Sequence, residues 1–208
     1  MSNPRNPWLP TISEPESSVV IIQPKVPITG AAAPQSSVPT PSAEGRLPMV
    51  ETSELATLWC LGTHGGSGET RIASQNDDWR GANHSWPVSV SGTVKVLLLA
   101  RSHMSGLRAA QRAIIQWASG LVPNVEVIGL AIVADAPGRL PRALRDTAQV
   151  VGGGVPRIWH LPWIESWRLE ESSNSADQPR ELRKFLKEIS SLIDPYVETL
   201  PKKGNDDD

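Results

Sequence analysis

VKVLLLARSHMSGLRAAQRAIIQWASGLVPNVEVIGLAIVA, residues 94–134, decides the fold class. Its opening run, VKVLLLA at 94–100, is short and almost wholly apolar, which predicts a strand buried on both faces. Residues 106–119 then turn to a helical period, with Leu107, Ala110, Ile114, Trp117 and Ala118 on one face. Residues 125–134 (VEVIGLAIVA) repeat the buried strand. Further along, 141–151 repeat the helix, with Pro141 suited to the first turn and Leu144, Ala148 and Val151 inward. Residues 155–161 read as a fourth, weaker strand. On the other side, LATLWCL at 55–61 predicts a strand leading into a glycine-rich turn. A last helix spans 178–193, its stripe formed by Leu182, Phe185, Leu186, Ile189, Leu192 and Ile193, with Arg180, Arg183, Lys184 and Lys187 largely outside it. Strands that recur with helices between them imply an α/β fold of three layers around a mostly parallel sheet.

The composition limits what such a domain does. The 208 residues are 39% hydrophobic, enough for one core. The formal charge of −2 gives no global field toward nucleic acid or acidic lipid. The single cysteine, Cys60, excludes an internal disulfide framework and fits a reducing compartment, so a cytoplasmic protein is expected. With no apolar run approaching the roughly 20 residues of a span, no membrane insertion is expected. Ten of the 19 prolines fall in the first 50 residues, among Ser, Thr, Ala and Gln. Residues 1–50 therefore read as a disordered Pro/Ser-rich tail, 51–197 as the domain and 198–208 as an acidic C-terminal tail. Within the first tail, Val19, Val20, Ile21 and Ile22 are apolar enough to pair as an edge strand on a partner or on the domain itself.

GTHGGSGETR at 62–71 follows the first strand of the domain and precedes a short helix expected at 69–75. Backbone N–H groups in such a turn can surround an anion. At these residues the sequence resembles the deviant Walker A loop, K-G-G-x-G-K-[ST]-[ST], of the ParA/MinD class of P-loop ATPases. By that resemblance His64 stands at the signature lysine, Gly65, Gly66 and Gly68 match, Ser67 fills the variable position, Glu69 replaces the phosphate-binding lysine and Thr70 is the magnesium-binding hydroxyl. VLLLARSHMSGLRAAQRAI resembles the strand and helix after switch II, GLAIVADAP the segment near the base, and IWHLPW the segment bordering the adenine. The likeness covers about residues 55–168. The chain also resembles an uncharacterised bacterial domain family whose G-x-H-G-G-x-G-E-[ST] loop follows a tryptophan and whose later motif is L-P-W-x-x-x-W-R, here within residues 59–70 and 161–168.

The ParA/MinD resemblance implies phosphate binding by residues 64–70, ATP or ADP with magnesium as cofactor, and a base-side edge containing His103, Asp135, His160, Pro162 and Trp163. It further implies a role in DNA partition, positioning or a mobile element and a homodimer; a protein partner is also expected, and a weak DNA contact is the lesser reading of Arg180, Arg183, Lys184 and Lys187 on the last helix, whose four charges make a modest phosphate footprint. The departures are chemical. A carboxylate where a lysine is needed reverses a contact of order 4 kcal/mol, taking about 4 Å and an effective dielectric near 20. Asp77 and Asp78 lie in a polar stretch, not at the end of an apolar strand where a Walker B aspartate belongs. Losing both groups argues against efficient hydrolysis and for an adaptor or regulator. On this reading Glu69→Lys restores nucleotide affinity.

Two alternatives rest on other residues. His64, His103, Asp135 and His160 each follow a strand, and the ends of parallel strands share one edge, where ligands of open α/β folds bind. An enzyme of altered mechanism would use Glu69 with His64 or His103 as acid and base. No His-x-x-x-His or Cys-x-x-Cys spacing supports a metal there. The other alternative is a protein-interaction module without nucleotide, built on Trp159, Trp163 and Trp167, whose stripe Pro162 interrupts. Cys60, inside an apolar strand, reads as a buried, inert thiol.

Overall fold

The structure is a computed structural model and describes residues 19–21, 26–169, 178–193 and 197–199. The chain divides into two compact units, residues 1–23 with 195–208 and residues 24–194. In the first, β1 (Val19–Ile21) pairs antiparallel with β9 (Val197–Thr199), so the apolar segment of the tail finds its strand partner on its own chain. The expected acidic tail beyond residue 199 lies outside the described residues.

In the second unit, β3 (Leu58–Gly62), β4 (Trp79–Gly81), β6 (Val94–Arg101), β7 (Val125–Val133) and β8 (Ile158–Leu161) form a parallel sheet in the order β4-β3-β6-β7-β8. Alternation along the strands builds a core on each face. Trp59, Leu61, Val96, Leu98 and Ala100 face α2 (Met104–Ala118) and α3 (Arg142–Gly152), which contribute Leu107, Ala110, Ile114, Ala148 and Val151. Leu58, Cys60, Leu97 and Leu99 face α1 (Glu69–Ala73) and α5 (Arg180–Ile193), through Ile72, Leu182, Phe185 and Ile189; the short α4 (Glu165–Arg168) follows β8. The three-layer α/β reading is met. Arg180, Arg183, Lys184 and Lys187 are exposed on α5, as its stripe requires.

One irregularity sets the phase of β7. Val96 pairs with Val127 but Leu97 pairs with Gly129, so one extra residue is accommodated in β7. Without it Leu130 and Ile132 would face the α5 side; with it they join Val127 on the α2 side.

The Pro-rich segment from residue 26 onward is seated on the domain, which moves the boundary expected at residue 50. Thr29 and Ala31 donate backbone N–H bonds to the Pro156 and Gly153 carbonyls, and Gln35 to Ala118. Gln116, 2% exposed, brackets Leu47: its side-chain oxygen accepts from the Leu47 N–H and its amide donates to the Leu47 carbonyl, each at 2.9 Å. Val38 and Leu47 pack against the core. This strap ends in β2 (Met49–Glu51), which pairs in parallel with β5 (Trp86–Val88). Its composition cannot make a core of its own, but it borrows one from α2 and from the turn after α3.

Candidate functional site

Numbered along the chain, the five strands of the main sheet run 2-1-3-4-5. The chain leaves β3 toward one side and later returns on the other, so the loops after β3 and β6 diverge and open a crevice between them. Those loops carry the glycine turn, residues 63–68, and Ser102 with His103. Three of the four residues expected to share an edge follow their strands, His64 after β3, His103 after β6 and Asp135 after β7, while His160 is the penultimate residue of β8.

Glu69 does not face this crevice. Its side chain is 8% exposed and turned beneath the loop. There Oε2 accepts from the Gly62 N–H at 2.8 Å and Oε1 from the Asn83 N–H at 2.5 Å, with the His84 N–H 3.4 Å from Oε2. His84 Nδ1 lies 3.2 Å from the same carboxylate oxygen and 2.8 Å from the Gly62 carbonyl, to which it donates. The carboxylate thereby joins the end of β3 to the loop after β4. A Cβ on Gly62 would lie 2.3 Å from Ser67 Oγ and 2.5 Å from Glu69 Oε2, so only glycine fits there. Ser67 is 1% exposed, and its hydroxyl has no hydrogen-bond partner among the described residues. The side chains of Ser67 and Glu69 are therefore corrected from ligand-facing to structural. The phosphate-loop pattern placed them by spacing, whereas burial and backbone donors decide where they point.

The glycines behave differently. A Cβ on Gly65 or Gly66 would meet nothing within 4 Å, and both residues are exposed. Gly66 has φ +74° and Gly68 φ +97°, left-handed values that favour glycine. Thr70 is exposed on α1. Asp77 and Asp78 precede β4, which puts them on the sheet edge opposite the loop.

Two histidines fix the loop against α2. The Arg101 N–H donates to His64 Nε2 at 3.0 Å and His64 Nδ1 donates to the Gly65 carbonyl at 2.8 Å, an arrangement that needs the neutral ring. His103 is the N-cap of α2, its Nδ1 accepting from the Gly106 N–H at 2.9 Å. The two rings lie 5.2 Å apart. A Cβ on Gly106 would come within 2.8 Å of His64 Nε2, so the absent side chain of α2 makes room for the ring. Burial, the largest cause, lowers the His64 pKa from 6.5, with His103, His84 and Arg101 acting in the same direction and the Gly65 carbonyl opposing. A base held below its unfolded pKa takes up its proton preferentially in the unfolded chain. Its contribution is therefore complete above about pH 6.5 and is lost as pH falls through the folded value. In urea denaturation from about pH 7.5 to pH 5, the parent is expected to lose stability and His64→Asn to lose distinctly less; parallel curves would assign the pH dependence to other groups.

Arg101 was not among the residues singled out from the sequence. Its Nε donates to the Gly66 carbonyl at 2.9 Å and one terminal nitrogen to the Ala134 carbonyl at 2.8 Å, tying the loop to the end of β7. A charged residue at the very end of a buried apolar strand is the signal that could have found it. Gly65, Gly66, Arg101, His103, Val133, Asp135, Trp163, Ile164 and Trp167 line a cleft of about 350 Å³. Through His103, Asp135 and Trp163 it meets a larger, mainly apolar groove of about 650 Å³ that also contains His160 and Pro162. The tryptophan stripe is divided as Pro162 requires. Trp159 is buried edge-on against Phe185, while Trp163 and Trp167 are half-buried along the cleft. Cys60 is buried, and burial followed by the nearby Glu69 charge pushes its thiol pKa far up. Among the described residues no three His, Cys, Asp or Glu side chains converge as a metal site, and no helix is long and apolar enough to cross a membrane.

The strand order, with a glycine turn at the point where it reverses, defines a doubly wound α/β domain. The chain belongs to the family of unknown function DUF6668, which matches residues 56–186 and so takes in the whole main sheet, the loop and the cleft. No curated protein and no solved structure matches the chain.

Proposed function

We propose that this protein is a non-hydrolysing ligand-binding module, whose glycine loop receives the phosphate of a nucleotide or related ester and whose role is that of an adaptor or regulator. The observation that carries this reading is the open face of Gly65 and Gly66 beside Arg101 at the switch point of the sheet. Hydrolysis is not part of it, because phosphoryl transfer relies on lysine and magnesium to stabilise developing charge. The loop has no lysine, and Asp77 and Asp78 lie on the far edge. Action in DNA partition, positioning or a mobile element rests on the ParA/MinD resemblance alone, and a cytoplasmic setting on the single cysteine.

The test is calorimetric titration of the full chain with orthophosphate, AMP, ADP and ATP, repeated on Gly65→Leu. Gly65 lacks a positive φ and has open space at its Cβ, so leucine is expected to leave the melting temperature unchanged while covering the loop. Saturable binding by the parent that the variant loses, without hydrolysis, supports the reading. If no phosphate compound binds, the reading fails and protein docking at Trp163, Trp167 and the exposed Leu169 takes its place.

A further inference from the structure

We infer that the cleft is built for a single phosphate group on a flat ring system, so that its ligand class is the nucleoside monophosphate rather than the triphosphate. This inference rests on the ligand-binding reading above and concerns the same cleft.

Among the described residues lining the cleft, Arg101 is the cation and Asp135 the anion. Two of the Arg101 donors hold the Gly66 and Ala134 carbonyls, and the remaining guanidinium N–H groups are left for a ligand. His64 adds no charge, because both ring nitrogens are committed in the neutral form. His103 has Nδ1 occupied as the helix cap, which leaves its other nitrogen as a neutral donor. Arg71 is turned toward the Trp167 carbonyl, and Arg139 borders the larger groove. One phosphate finds one guanidinium. A second or third phosphate would bring charge with no partner, next to Asp135, and desolvating unpaired charge is costly.

A divalent cation would normally offset that charge, but among the described residues lining the cleft Asp135 is the single carboxylate, and Asp77 and Asp78 are on the other edge of the sheet. The remaining wall of the cleft is Trp163, Ile164 and Trp167, which offers aromatic and apolar surface to the face of a base. Its volume of about 350 Å³ is at the small end of ligand sites, suited to a mononucleotide.

Competition calorimetry on the full chain with AMP, ADP, ATP, adenosine and orthophosphate, with and without magnesium, tests this. AMP is expected to bind tightest, ADP and ATP about tenfold or more weakly, and magnesium to change none of the three. Trp167→Ala is expected to weaken AMP about tenfold and leave orthophosphate unchanged, and Trp167→Phe to restore AMP binding by keeping an aromatic face. ATP with magnesium binding as tightly as AMP overturns the inference while leaving the loop as an anion site. The same holds if Trp167→Ala, with an unchanged melting temperature, leaves AMP affinity intact. If none of the phosphate compounds binds, the underlying reading falls and the inference with it.

Discussion

Glu69→Lys is expected to destabilise the domain by about 3–5 kcal/mol instead of raising nucleotide affinity. The carboxylate accepts backbone N–H bonds from Gly62 and Asn83 and lies against His84 at 8% exposure. An ammonium in its place accepts nothing, leaves those N–H groups without partners, and buries a positive charge against donors. On a domain of ordinary stability, 5–15 kcal/mol or so, that is a large fraction. Glu69→Gln keeps one acceptor oxygen but sets an amide NH₂ against an N–H, for an expected loss of about 1.5–3 kcal/mol. The urea midpoint at unchanged slope measures both. A Glu69→Lys protein as stable as the parent and binding ATP more tightly would show that the side chain lies on the ligand side of the loop.

Gly129→Ala is expected to cost about 3 kcal/mol, near the upper end for a single added methyl. A Cβ there would lie 2.5 Å from the Arg157 carbonyl oxygen and 2.4 Å from Trp159 Cζ3. That oxygen accepts the Leu130 N–H at 2.9 Å, one of the bonds holding β7 to β8. Relief requires β8 to move outward and Trp159 to leave its place on Phe185. Combining the substitution with Trp159→Leu separates the two contacts: the ring's share is recovered in the double variant and the carbonyl's is not. Additive losses would mean that Trp159 does not press on this position.

Much of this architecture is legible in the sequence, because β6 and β7 are almost wholly apolar runs and α2, α3 and α5 carry strong stripes. The strap, β4 and β5 are not. β4 is three residues long, is held on one side only by β3, and announces itself only through the buried Trp79. Because Asn83 and His84 follow that strand, the donors that turn Glu69 inward were invisible too. Spacing in GGSGET describes which residues a loop contains, whereas the direction of each side chain depends on what the neighbouring strand presents. The edge shared by His64, His103 and Asp135 was readable because a parallel sheet has only one C-terminal side. That Arg101 closes the loop from below Gly66 depends on the β3–β6 register, which periodicity does not supply.

The strap that Gln116 holds also constrains the order of events at the ribosome. Residues 26–47 are made before any of their seats: Leu47 waits 69 residues for Gln116, and Val26 waits 131 for Arg157. At roughly 5–20 residues per second that delay is on the order of 3–26 s. During it the Pro-rich segment has no core to borrow, and its imino acids and serines keep it from finding a wrong one. Its docking needs α2 and the turn after α3, so the earliest-synthesised part of the domain finds its place only after they have been made.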